Sequence, residues 1–175
     1  MNFRHVSSIA ILVVCLSERL LGQAPQEIRV DTTENIELGS LKARIVSYLG
    51  RTAVRIANAG AQDSRYGEGL AIVRGTSFQD GAIEVILSGD TAPYAPPQMR
   101  GFVGIGFRVR DRSHFECFYI RTKNGRSEDQ LQRNHSTQYI SIPEFPWDKL
   151  RSETPGKYES YVDLTPDSGQ SSRPR

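Results

Sequence analysis

The sequence predicts an all-β protein, built as an antiparallel β-sandwich, and three observations carry that expectation. Residues 101–110 alternate strictly, with Val103, Ile105, Phe107 and Val109 on one side and Gly104, Gly106, Arg108 and Arg110 on the other. That is the period of a half-buried strand. Short apolar runs of similar length recur along the chain, separated by segments rich in Gly, Pro, Asn and Asp. No stretch signals a helix of any length, and short strands between turns suit a two-layer sandwich.

The chain starts with the three parts of a secretory leader: Arg4 in a basic start, an apolar run over residues 9–16, and the small-residue ending Gly22-Gln23-Ala24. The run is too short to span a bilayer, so residues 1–24 are expected to direct export to the periplasm or medium and to be removed near Ala24. Pro25 directly after that point is unfavourable for the peptidase, which leaves a cut a few residues away or an uncleaved anchor as alternatives. Val13 and Val14 are too large for Cys15 to be a lipid-attachment site. Losing Arg4, Glu18 and Arg19 takes the formal charge from +2 to +1. With no strong field of either sign, nucleic acid and membrane surfaces are poor partners. Cys117 is then the one remaining cysteine. It cannot form an intramolecular disulfide and is expected in the core; neither a metal nor a cofactor is implied, since no Cys partner or His spacing accompanies it.

Taken in order, residues 25–40 are polar and expected to lie over the surface. Residues 42–56 offer a hairpin around Gly50, with Ala43 and Ile45 alternating in one arm and Val54 and Ile56 in the other. Residues 58–68 form a loop. GLAIVR, residues 69–74, is a buried type of strand, and residues 82–87 place Ile83, Val85 and Leu87 on one face as the next. Pro93, Pro96 and Pro97 make residues 89–98 an exposed connection.

Residues 101–110 and 114–121 pair as the central hairpin around Asp111, Arg112 and Ser113. Gly104 and Gly106 are expected to leave a shallow floor beside Arg108, since strand glycines often mark close approach of a ligand or another backbone. Register decides where Glu116 points. A three-residue loop sets it opposite Arg108 on the glycine side, the preferred reading. A two-residue loop turns it to the valine side and brings Cys117, Tyr119 and Arg121 over the glycines.

Beyond the hairpin lies an aperiodic segment carrying Asn124, Arg126, Asp129, Gln130, Arg133, Asn134, His135, Gln138 and Tyr139. Planar donors and acceptors of this kind recognise sugar hydroxyls and carboxylates, and they also populate solvated loops. Ile140 and Ile142 continue as a short extended segment ending at Pro143, and residues 147–151 suit one helical turn. Trp147 is either a plug beside Phe145 and Leu150 or a platform for a sugar ring. YESYVDL, residues 158–164, reads as the last strand, and residues 165–175 as a disordered tail.

The words GFVGIGFRV, HFECFYIRTKNGRSEDQLQRNHSTQYIS, PWDKLR and PGKYESYVDL resemble bacterial secreted proteins of the concanavalin-like, laminin-G-like superfamily. Within it they are similar to the branch of 3-keto-disaccharide hydrolases and glycoside-hydrolase-like domains. The resemblance covers residues 69–164 and implies a jelly roll, with residues 41–164 as a partial domain. It also implies that further strands should follow YESYVDL, so the C-terminus is expected to be incomplete.

Ordinary glycoside hydrolysis needs two carboxyls either about 5 Å or about 6.5–9.5 Å apart. Glu116 is the first candidate, and Asp129 or Glu159 the second. The acids at alternate positions of one strand that are associated with concanavalin-type glucanases are missing, because Cys117 and Phe118 follow Glu116. The resembled branch implies instead proton abstraction beside a sugar ketone, with Glu116, His135 or Tyr139 as base and Arg108, Arg121 or Arg126 stabilising the oxyanion. The same residues, with Asn124, Asp129, Gln130, Asn134 and Trp147, would equally form a non-catalytic sugar cleft. A secreted carbohydrate-binding module is the leading expectation, a keto-glycoside hydrolase or lyase the second, and a structural or adhesion domain the third.

Overall fold

The computed structural model describes residues 9–10, 26–58, 68–78, 80–93 and 95–164. Most regular structure is strand, arranged in antiparallel sheets, as the alternation predicts. Ten strands and three short helices are present among these residues. They are β1 (Ile9–Ala10), β2 (Ile36–Glu37), β3 (Leu41–Tyr48), β4 (Arg51–Asn58), β5 (Ile72–Val73), β6 (Leu87–Ser88), β7 (Phe102–Asp111) and β8 (His114–Arg121). They continue with α1 (Thr122–Gly125), α2 (Gln130–Arg133), β9 (Thr137–Ile142), α3 (Trp147–Glu153) and β10 (Glu159–Ser160). One four-stranded sheet has the order β3-β4-β1-β6, the other β10-β9-β8-β7, and β2 with β5 forms a separate ribbon.

The β3–β4 hairpin pairs Tyr48 with Arg51 around a two-residue turn. Leu49 and Gly50 both have positive φ, 48° and 75°, the backbone of a type I′ turn whose twist matches that of the strands. Glycine meets that demand freely; Leu49 does so with its side chain in solvent.

Four expected stretches differ from their reading. Within the stretch read as polar covering, Ile36 is buried and pairs with Val73, because one apolar residue amid charges still finds a partner strand. The strands expected over residues 69–74 and 82–87 shrink to β5 and β6, which pair with β2 and β1 rather than with each other. Ile83, Val85 and Leu87 are half-buried while Ala82, Glu84 and Ile86 are exposed, so the alternation was read correctly but most of its backbone joins no ladder. Periodicity reports which side is covered, not whether a neighbour donates. The last strand likewise reduces from YESYVDL to Glu159 and Ser160. Of the expected leader only Ile9 and Ala10 are described; the rest of it, Cys15, residues 59–67 and the expected tail lie outside the described residues.

The core gathers about the face of the β7–β10 sheet that carries Phe115, Ile140 and Ile142, which are buried with Leu150; Leu70, Val109, Cys117, Tyr119, Tyr139 and Tyr158 pack against this cluster. α3 supplies Leu150, the plug that Trp147 was one candidate for; Trp147 itself is 37% exposed. Burial pushes the Cys117 thiol up to about 12, as expected of a core residue without reactivity. Arg112, in the tight turn of the β7–β8 hairpin, donates to the Leu70 carbonyl at 2.7 Å and the Glu37 carbonyl at 3.1 Å, pinning two distant loops to the hairpin end.

Candidate functional site

The position of every candidate side chain follows from the β7–β8 ladder. His114 pairs with Asp111 across a two-residue turn, and Phe107 pairs with Glu116, Gly106 with Cys117 and Gly104 with Tyr119. The preferred three-residue loop is therefore corrected: Cys117 and Tyr119, not Glu116, lie over the glycines. Between Phe107 and Asp111 the register shifts through a bulge, and Arg108 takes φ 49° there. The bulge exchanges the next two side chains between faces. Val109 joins the core cluster, with its Cγ2 3.8 Å from where a Gly106 side chain would begin, while Arg108 turns to the face that carries Glu116. Arg108 and Glu116 do come together, by a different route from the one expected: Arg108 Nη1 donates to Glu116 Oε1 at 3.0 Å.

The glycine floor is also corrected. A Cβ on Gly104 would stand 2.3 Å from the Phe118 carbonyl oxygen and 2.5 Å from Tyr119 Cβ, and one on Gly106 would meet Leu70 Cδ2 at 3.0 Å. These glycines admit the neighbouring strand and the core, and leave no open ledge.

Across β8 and β9, Glu116 pairs with Ser141 and Phe118 with Tyr139. Tyr139 therefore shares the Glu116 face, and its hydroxyl donates to Glu116 Oε2 at 2.7 Å. Arg108 Nη2 also lies 3.5 Å from Asp80 Oδ1. Desolvation is the strongest influence on Glu116 and pushes its pKa up. The Tyr139 hydrogen bond, and then the hydrogen bond and charge of Arg108, outweigh it, so the carboxyl sits below its ordinary value. Burial, followed by the hydrogen bond to Glu116 and its charge, moves Tyr139 up to about 12. The hydrogen bond to Glu116 is the main cause of the rise at Arg108. At neutral pH this is an ionised carboxylate with one donor on each oxygen, flanked by an exposed Phe118 ring and by Tyr158, whose ring lies 5.8 Å from that of Tyr139.

The opposite face holds a second polar group. Glu159 pairs with Gln138 across β9 and β10, which places it on the side of Tyr119 and Arg121. Its side chain is only 2% exposed. Arg151 donates to both Glu159 oxygens, through Nε to Oε1 at 2.9 Å and through Nη2 to Oε2. His135 Nδ1–H donates to Oε2 at 2.8 Å, since an ionised carboxylate can only accept. Desolvation raises the Glu159 pKa most, but Arg151 and then His135 outweigh it and hold the carboxyl low. Arg121 Nη1 lies 3.7 Å from Glu159 and donates to the His135 carbonyl, while Nη2 donates to Tyr119 and Gln138. Burial dominates at this guanidinium and lowers its pKa, more than the nearby oxygens restore. Asn124 donates to the same His135 carbonyl at 3.2 Å, and its buried Oδ1 has no hydrogen-bond partner.

The candidate residues thus divide. Arg108, Glu116 and Tyr139 come together on one face; His135, Arg121 and Asn124 gather around Glu159 on the other. No single site contains Glu116, His135 and Tyr139, and Glu116 and Glu159 cannot flank one glycosidic bond across the sheet between them. Asp129 is no second carboxylate either: it caps α2, accepting from the Leu131 amide at 2.8 Å. Gln130 and Asn134 hydrogen-bond to each other along that exposed helix. Arg126 stands apart, between Asp90 and the Leu164 carbonyl. Trp147 lies at the surface with the Arg151 guanidinium 5.0 Å above its ring. Asp80 and Arg151 were not among the sequence candidates. A Trp-to-Arg spacing of i,i+4 on a helix was the signal available for Arg151; none was available for Asp80.

Among the described residues no cluster of His, Cys, Asp and Glu could hold a metal ion, and no helix is long and apolar enough to cross a membrane. Comparison with protein-family models, curated proteins and solved structures gave no significant match.

Proposed function

We propose that the chain is an exported carbohydrate-binding module of the concanavalin-like jelly-roll type, whose ligand sits on Arg108, Glu116 and Tyr139. The observation that carries this reading is the state of Glu116. Its pKa is depressed and a donor engages each oxygen, which suits a fixed acceptor for sugar hydroxyls and not a base that must gain a proton. The exposed Phe118 beside Tyr139 supplies the apolar surface that accompanies a few fixed polar groups in ligand sites. Arg108 adds a backbone outlier, and strain of that kind concentrates at functional sites. The antiparallel sheet β10-β9-β8-β7 and the long β3–β4 hairpin support the all-β part of the proposal.

The keto-glycoside enzyme is the second reading, favoured by one observation: His135, partly exposed, is oriented through Nδ1 by a buried carboxylate, an arrangement that leaves Nε2 for proton transfer. Against it, Arg151 already engages both oxygens of that carboxylate, and Arg121, the oxyanion candidate on this face, is committed to the His135 carbonyl, Tyr119 and Gln138. Titration calorimetry with glucosides, run beside a turnover assay on 3-keto-glucosides, separates the two. Binding without turnover, abolished in Glu116→Gln, is the expected result. Turnover lost in His135→Gln and kept in Glu116→Gln would replace the module by the enzyme.

A further inference from the structure

Arg108 faces two carboxylates that differ in how firmly they are held. Glu116 is 3.0 Å away, with its side chain 22% exposed and fixed from behind by Tyr139. Asp80 is 3.5 Å away, with its side chain 85% exposed, on the connection that leads from β5 to β6. An exposed pair at that separation is easily exchanged, since water screens it and an ordered side chain loses entropy to keep it. A planar guanidinium, however, retains its preference for a carboxylate in the plane of its two donors.

We propose, resting on the carbohydrate-binding reading above, that Asp80 holds the place of a ligand carboxylate and that the site is built for an acidic sugar, a uronate, whose carboxylate displaces it. Charge explains why displacement is required. Arg108, Glu116 and Asp80 together carry one net negative charge, so a uronate added beside both carboxylates is repelled, whereas a uronate that replaces Asp80 meets a neutral Arg108–Glu116 pair. The sugar hydroxyls then fall toward Glu116 and Tyr139, and its apolar face toward Phe118, the ring beside Tyr139 in the ladder.

The test compares 4-nitrophenyl β-D-glucuronide and galacturonide with the matching glucoside and galactoside, which differ only at C6, by calorimetry on the wild type and Asp80→Asn. Asp80 is exposed, so the variant is expected to fold. The expected result is tighter uronide binding by the wild type and a further gain of about threefold in Asp80→Asn, with neutral glycosides unchanged. Equal binding of acidic and neutral glycosides, or uronide binding that Asp80→Asn leaves unaltered, overturns the acidic-ligand proposal and leaves the carbohydrate module standing. No binding of any of the four overturns both.

Discussion

On one face of β8 and β9 a carboxylate and an arginine, Glu159 and Arg121, are closed over beside the partly exposed Arg151 and His135; on the other a carboxylate, an arginine and a tyrosine stand near the surface. The residue types are nearly the same, and the environment separates their roles. Glu159 accepts three hydrogen bonds from Arg151 and His135, with Arg121 3.7 Å away and its own side chain only 2% exposed, so its polar contacts serve to keep charges from being buried alone. Around Glu116 one acceptor meets two donors and solvent still reaches the group, so hydrogen-bonding capacity is left for something else. A buried polar cluster and a ligand site cannot be told apart by listing residues; exposure and saturation separate them.

The largest test of this contrast is Glu159→Gln. It leaves Arg121 and Arg151 without their carboxylate, and denaturant unfolding should show a loss on the order of 3 kcal/mol. Glu116→Gln, by contrast, should change stability far less. The pH dependence sharpens the same point. Both carboxyls are held below their ordinary values, so the unfolded chain binds protons that the folded chain does not. Their contributions are complete above the unfolded value of about 4.3 and are lost as pH falls through the depressed folded values. Stability measured from pH 6 down to pH 3 should therefore decline, and Glu159→Gln should flatten that decline more than Glu116→Gln does.

Next in size is Gly104→Ala. Its Cβ would meet the Phe118 backbone, which cannot yield, and the cost should be about 1–3 kcal/mol. Gly106→Ala meets only the tip of Leu70 and should fall within about 0.5 kcal/mol of wild type. Equal penalties would show that the covered face is more tolerant than its packing implies. Between these two lies Tyr139→Phe, about 1 kcal/mol from one lost hydrogen bond. Its more telling readout is the Glu116 carboxyl, whose titration by NMR should move upward once the hydroxyl is gone. A static titration would mean that Arg108 alone sets the carboxylate.

The all-β character, both long hairpins and the turn at Gly50 were legible because each leaves a period of two or a turn residue in the chain. The site was legible in composition and not in arrangement. Arg108, Glu116 and Tyr139 could be named, but the bulge that turns Arg108 toward Glu116 carries no glycine or proline to announce it; a reading in strict alternation must put Arg108 and Val109 on the wrong sides. Asp80 reaches the site only through the fold, across 28 residues of sequence. The strands expected at residues 82–87 and 158–164 failed for the converse reason, an apolar pattern with too few partner groups to complete a ladder.

Arg112 has a bearing on the order in which the molecule assembles. Its hydrogen bonds close intervals of 42 residues to Leu70 and 75 residues to Glu37, whereas the hairpin that presents it closes over two. Long intervals are entropically slower to close, and their contacts reward the chain only after the local ones exist. The guanidinium therefore acts as a late latch: the hairpin forms first, and the loops at Glu37 and Leu70 are captured on it afterwards. Arg112→Ala should leave the refolding rate nearly unchanged and accelerate unfolding, placing its whole effect on the descent from the native state.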